Sequence, residues 1–388
     1  MKPGVSVPRL SELLLRSTLL ARLRYWAGRK RRSLLKAIDP DTPLLERSLI
    51  RTVRRKFPWL PGGGDFPACL AADAFDMDGY FAQLSETYRP HANPFHYYEQ
   101  FVDVVESSPL TAIRPLFELF APGAEQRRVM GIRHDIDADP VTAVRCARHL
   151  AARGICGSFY LLHSAPYYGH FAHNLFLRNP QLRGWVMGLV AAGCEIGVHN
   201  DALKVYLEWG KDGASALETE IAWLRMLGAR VRGTVAHNSG PTYGAENFEI
   251  FSGRTLWARQ LTDRRGRALP LDNLAEAKLG LAYEGTFAKR KHRFDRDAAE
   301  RFFADREAAS VRSEAWMRRY LLDNPALDWA IDYQFWLVGK DSWVAAGRFA
   351  DEELFEWQVD LDRVRQLVLR LPAGSRTVFV VHPEYVRG

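Results

Sequence analysis

The sequence predicts an α/β fold: a mostly parallel sheet with helices outside it, open or closed as a barrel. Two observations carry this. From residue 129 onward, short apolar runs alternate with helical runs. Successive apolar runs also end in residues suited to metal or acid–base chemistry: Asp135 and Asp137, then His199, His237 and His382. In α/β barrels the carboxyl-terminal rim of the strands is where chemistry is placed, and recurrence at that end of several strands fits such a rim.

Taken in order, residues 10–36 read as helix, rich in Leu and Arg and free of Gly and Pro except Gly28. Their leucines are scattered around the helical wheel, so no clean amphipathic stripe results. A second helical piece covers 44–57, and 58–64 is a breaker-rich linker. A helix over 80–88 follows, with Asp78 as its N-cap. The aromatic run 95–101 continues a small helical cap. The expected division is therefore a basic helical segment (1–64), a small helical cap (65–127) and the α/β domain (128–388). In that domain a strand at 129–132 leads to a helix over 141–153, stopped by Gly154. A strand at 157–162 leads through a His- and Tyr-rich loop to a helix over 180–192, ended by Gly193. The strand 194–199, the helix 214–227 and the strand 231–236 come next. A helix over 354–370 and a strand over 376–382 close the chain.

Bulk properties narrow the classes. The chain has 388 residues, 47% of them hydrophobic, enough for a large core. Its net charge is +7, and most of the excess lies before Lys56. A basic leader of this kind suits an anionic surface, and the Arg29-Lys30-Arg31-Arg32 cluster suits peripheral contact with phospholipid. No basic patch is interleaved with aromatics, so nucleic acid is not the expected partner. No run approaches a membrane span, and Arg16, Arg22 and Arg24 interrupt any signal-peptide core. The four cysteines form no Cys-x-x-Cys pair and read as reduced residues. The expected location is the cytoplasm, with contact at the inner membrane surface through the leader.

The stretch that organises the chain is Val129-Met130-Gly131-Ile132-Arg133-His134-Asp135-Ile136-Asp137. Residues two apart on a strand share a face, so Asp135 and Asp137 point the same way. Adjacent carboxylates repel; they share a proton or bind a cation. If a metal holds one, the other is free to take a proton from water. The structural alternative makes Asp137 the N-cap of the following helix, with Pro140 in its first turn. One Asp with two His suits Zn²⁺, or Co²⁺, Ni²⁺ or Mn²⁺ in its place. A decoy precedes all this. Phe75-Asp76-Met77-Asp78-Gly79-Tyr80 resembles the first motif of haloacid dehalogenase phosphatases, but it lacks the apolar strand before it and the downstream lysine.

The order Arg133-His134-Asp135-Ile136-Asp137, Glu195-Ile196-Gly197-Val198-His199 and Val378-Phe379-Val380-Val381-His382-Pro383 resembles the polysaccharide deacetylase superfamily (NodB homology, carbohydrate esterase family four). The resemblance starts near Val129 and implies an irregular (β/α)7 barrel. It implies Asp135 as catalytic base, Asp137 and His199 as metal ligands, and His382 as the acid that protonates the leaving amine. The family's second ligand histidine falls at Leu203. Asp201 or His237 takes its place, with His237 favoured because it ends a strand of its own. The arginine that orients the base is missing from its usual turn, whose nearest equivalent is Gly240-Pro241-Thr242-Tyr243-Gly244. Arg133 is expected on the opposite face. His134, Tyr243 and Asp201 are the expected substrate contacts.

The activity implied is metal-dependent deacetylation of an acetylated amino sugar in a bacterial-type surface glycan or its precursor. The alternative is a catalytically inactive barrel that binds a glycan or a partner in polysaccharide biosynthesis. His163, Tyr167, Tyr168, His170 and His173 are expected to line the substrate. Trp329, Tyr333, Phe335, Trp336 and Trp343 suit either core or a glycan groove. Residues 289–293 read as a solvated basic loop.

Overall fold

The computed structural model describes residues 76–108, 112–124, 129–172, 175–237, 246–254, 268–286, 314, 318 and 331–387, with backbone alone at 170–172 and 175. The basic leader, Tyr243, His173, Trp329 and the loop 289–293 lie outside the described residues.

The central strand grows out of the motif stretch. After the short β1 (Ala112–Ile113), strand β2 (Val129–Ile136) has all eight residues buried. A parallel strand covered on both faces reads as such a continuous run. One flank of β2 pairs in parallel with β3 (Ser158–Leu162), and the sheet continues through β6 (Glu195–Asn200), β7 (Gly233–Ala236) and β8 (Tyr283–Glu284). On its other flank β2 pairs in parallel with β12 (Arg376–Val381). Beyond β12 lie β9 (Tyr333–Gly339), β10 (Ser342–Phe349) and β11 (Glu352–Val359), the last three an antiparallel meander. Among the described residues, strands β4 (Gly169–Ala172) and β5 (Leu175–Arg178) pair only with each other. The predicted mostly parallel α/β sheet is present. Among the described residues β8 and β11 are its two edges and do not pair, so the sheet is open and a closed seven-stranded barrel is not seen.

Among the described residues the helices are α1 (Met77–Tyr88), α2 (Phe95–Glu106), α3 (Leu116–Leu119), α4 (Pro140–Ala152), α5 (Leu182–Ala191), α6 (Ala202–Leu207), α7 (Gly213–Met226) and α8 (Leu361–Arg370). Two expected caps are corrected. Asp76, not Asp78, caps α1, accepting from the Gly79 amide at 2.9 Å. Asp139 caps α4, accepting from the Thr142 amide at 2.9 Å with Pro140 at the first position. Asp137 is thereby free of a capping role. Gly154 and Gly193 stop their helices as predicted, with φ of 71° and 72°.

The predicted helix over 354–370 divides. Asp360 caps α8, accepting from the Arg363 amide at 2.8 Å, and residues 352–359 form β11 instead. The competing partner is β10, reached through a turn with Ala350 at φ 52°. Of the span read as a small cap, the described residues 76–108 and 112–124 include elements that pack on this sheet. Strand β1 pairs with β2, and α2 buries Tyr98, Phe101 and Val102.

The sheet has two packed faces. On the α2 side, Phe101 lies 4.9 Å from Trp343 and Phe379 lies 4.9 Å from Phe335, ring centre to ring centre. Tyr333, Phe335 and Trp343 are buried here, so they are core and not a glycan groove. On the other face, Leu119, Val129, Ile331, Val378 and Val380 form one cluster, and Leu116, Tyr160, Val235 and Tyr283 another. Gly197 and Gly233 make room for the second cluster. A Cβ on Gly233 would stand 2.1 Å from the Tyr283 ring, and one on Gly197 2.6 Å from both the Tyr160 ring and the Gly233 carbonyl.

Candidate active site

The face that carries Tyr160 and Tyr283 also carries the chemistry. Alternation along β2 puts Arg133, Asp135 and, just past its end, Asp137 on that face. His199 is the penultimate residue of β6, His237 follows β7 and His382 follows β12. Parallel pairing of β12, β2, β3, β6 and β7 brings these strand ends to one edge.

Asp137 is the centre. Its carboxylate lies 3.2 Å from His199 Nε2, 3.7 Å from His382 Nε2 and 4.0 Å from His237 Nε2. Burial raises its pKa, but the three histidines outweigh burial and hold the carboxyl below the usual range. His199 is buried, and its Nδ1 lies 3.0 Å from the Val235 carbonyl. A carbonyl only accepts, so Nδ1 carries the proton and, in the neutral ring, Nε2 is a bare lone pair. That lone pair faces Asp137 Oδ1, which is buried and has no hydrogen-bond partner. Two lone pairs in contact call for a proton or a cation between them.

Asp135 is built differently. Arg133 grips it with two bonds, Nε to Oδ1 at 2.7 Å and Nη2 to Oδ2 at 2.6 Å, and both residues are 3% exposed. Burial would raise the Asp135 pKa; Arg133, His199 and His382 together take it below the usual value. Arg133 therefore corrects the expectation that placed it on the opposite face. Residues 133 and 135 are two apart, so both point inward, and Arg133 orients the Asp135 carboxylate from within the motif.

His134 is also corrected. It lies on the other face, fully buried, stacked on Phe159 at 4.0 Å and bonded to the Tyr98 hydroxyl at 2.8 Å. Burial drives its pKa down to about 3. It is a core histidine, not a substrate contact.

Leu203, where the family histidine would stand, is buried in α6 and its amide donates to Asn247 Oδ1 at 2.8 Å. His237 is the ring that approaches Asp137, and its Nδ1 lies 3.8 Å from Asp201 Oδ1. Burial lowers the His237 pKa, but the neighbouring Asp201 and Asp137 carboxylates outweigh this and raise it to about 9. Asp201 itself is 1% exposed, so it supports His237 and does not reach a substrate directly.

The loop after β3 is likewise interior. His163 accepts from the Asp201 amide at 2.8 Å, the Tyr167 hydroxyl donates to the Ile136 carbonyl at 2.7 Å, and Tyr168 donates to Glu220 at 2.8 Å. These three are core residues that brace the site from behind, not its substrate lining. Beneath the site, Glu195 accepts from Tyr283 at 2.6 Å and from Ser158 at 2.7 Å.

His382 Nδ1 and Glu384 Oε2 are buried and unpartnered. Burial lowers the His382 pKa, while Asp137 and Asp135 act to raise it. Burial and then the charge of Asp137 push Glu384 well above the carboxylate range. Nothing in the sequence pattern singles Glu384 out, since it is a plain acid two residues past a histidine.

A carboxyl raised in the folded state holds a proton that the unfolded chain has already released, so its stability contribution erodes as pH rises above the unfolded value. Glu384→Gln removes this slope. The folding stability of the variant is expected to gain on wild type between pH 5 and pH 8, by up to about 1.4 kcal/mol per pH unit where one proton separates the states. An identical difference at both pH values in a calorimetric scan would refute it.

No group of three or more His, Cys, Asp or Glu side chains among the described residues is arranged to hold a metal ion as it stands. The donor chemistry nevertheless fits one. Ligands 2.0–2.1 Å from a tetrahedral Zn²⁺ sit about 3.4 Å from one another, and the Asp137 contacts to His199 and His237, at 3.2 and 4.0 Å, straddle that spacing. The partnerless Oδ1 is the oxygen that faces His199, and Oδ2 is the one that faces His237 and His382. Cys146, Cys156 and Cys194 are free, and the first and third are buried. No described helix is long and apolar enough to cross a membrane. Comparison with protein-family models, with curated proteins and with solved structures finds no match.

Proposed function

We propose that the chain is a metal-dependent deacetylase acting on an acetylated amino sugar of a surface glycan or its precursor. The seven-stranded barrel of the deacetylase family is part of the same reading. One observation carries it. A carboxylate clamped by a buried arginine stands beside a second carboxylate on which three histidines converge, all at the carboxyl edge of parallel strands.

Asp137, His199 and His237 would hold the cation. Such an ion supplies Lewis acidity at the acetyl carbonyl and makes the attacking water more acidic. Asp135 takes the water proton, kept ionised and aimed by Arg133. The acetamide C–N bond breaks, a C–O bond forms from water, and acetate and a free amine leave. His382 delivers the proton to the departing nitrogen. Burial disfavours the charged form of this ring and the anionic Asp137 and Asp135 favour it; the proton it delivers to nitrogen is balanced by the one that Asp135 takes from the water.

The test uses the purified full chain and N-acetylglucosamine oligomers. The expected result is one equivalent of zinc or cobalt by mass spectrometry and acetate release that stops with chelator. Asp137→Ala is expected to lose the metal. Absence of both metal and acetate release sinks the proposal; oligomer binding without either would make the protein a carbohydrate-binding relative instead.

A further inference from the structure

We infer that Asp201 is the positioning residue of His237, fixing the ring from its Nδ1 side so that Nε2 is presented to Asp137 and to a cation. The inference rests on the functional reading above and assigns a role that a ligand set alone does not contain.

Asp201 is itself held on every side. Its amide donates to His163 Nε2 at 2.8 Å. Its Oδ2 accepts from the Ser164 hydroxyl and lies 3.9 Å from Lys204 Nζ. Its Oδ1 accepts from Asn247 Nδ2 at 3.1 Å and faces His237 Nδ1 at 3.8 Å. His237 is tethered through its backbone as well. Its amide donates to the Asn200 carbonyl at 2.9 Å, and its carbonyl accepts from the same Asn247 amide group at 2.8 Å.

Asn247 thus bridges the carboxylate and the histidine backbone. It belongs to a 3-10 turn, Asn247–Ile250, locked by a reciprocal Glu246–Glu249 capping box. With the Nδ1 side turned to a buried carboxylate, the ring has one nitrogen left, and that nitrogen faces Asp137. Carboxylate–histidine pairs of this kind orient metal ligands and raise their basicity. Leu203 is explained by the same device. The ligand lost from α6 is supplied from the end of β7, and a carboxylate at the start of α6 holds it in place.

The test is zinc affinity, by chelator competition on the full-length wild type, D201N, H237A and the double variant, with the absorption bands of bound Co²⁺ as a second readout. D201N is expected to weaken zinc binding about 10- to 100-fold and to alter the Co²⁺ bands. The double variant is expected to bind as H237A alone does, because a residue that acts through another adds nothing once that other is gone. Should D201N not fold, S164A, which removes one support of the carboxylate, is expected to weaken binding in the same direction by a smaller factor. Unchanged affinity and bands in D201N, unchanged affinity in S164A where that variant replaces it, or fully additive losses in the double variant, overturn the inference. A wild-type chain that takes up neither zinc nor cobalt defeats the deacetylase reading itself.

Discussion

Asp135→Asn is expected to cut turnover by about 10²–10⁴-fold, the usual worth of a general base, with bound metal at the wild-type amount. The amide keeps the shape of the carboxylate and an oxygen for one Arg133 bond, so the site stays assembled while the proton acceptor is gone. The geometry makes this separable from ligand loss. Both Asp135 oxygens are taken up by Arg133, and Oδ2 is 3.8 Å from His199 Nε2, whereas Asp137 Oδ1 stands at 3.2 Å with no bond of its own. Metal analysis beside acetate release decides the point. Loss of metal along with activity would move Asp135 into the ligand set.

Arg133→Met is expected to lower folding stability by about 3–5 kcal/mol, because it strands a carboxylate that is 3% exposed. The double variant R133M/D135L is expected to recover most of that loss, since a buried ion pair replaced whole by apolar groups is often neutral. Urea unfolding followed by tryptophan fluorescence measures both. A loss under about 1 kcal/mol in R133M would mean that Asp135 finds another partner or takes up a proton. Activity is expected to vanish in both variants, so stability and function part company in the double one.

The histidines and acids at the strand ends were legible because parallel strands share a direction, and each strand was readable from its own apolar run. Arg133 was legible too, by the same two-residue rule that paired Asp135 with Asp137. The rule equally sends His134 to the opposite face, where Phe159 and Tyr98 receive it. Placing Arg133 on the opposite face misapplied that rule, and closeness in sequence to Asp135 was the wrong guide for His134. The strand over 352–359 was less accessible. Its Glu- and Leu-rich sequence suits a helix locally, and only pairing with β10 settles it as a strand.

Local sequence by itself determined the parallel α/β class, the helix stops at Gly154 and Gly193, and the metal- or proton-competent residues at the strand ends, because each depends on neighbours a few positions away. Tertiary structure alone decided that His237 approaches Asp137 where Leu203 could not, that Asp201 stands behind it, and that Glu384 is buried close enough to feel the charge of Asp137. Those facts depend on burial and on charges brought together from distant segments, and the shift in a group's proton affinity exists only after the chain has closed around it.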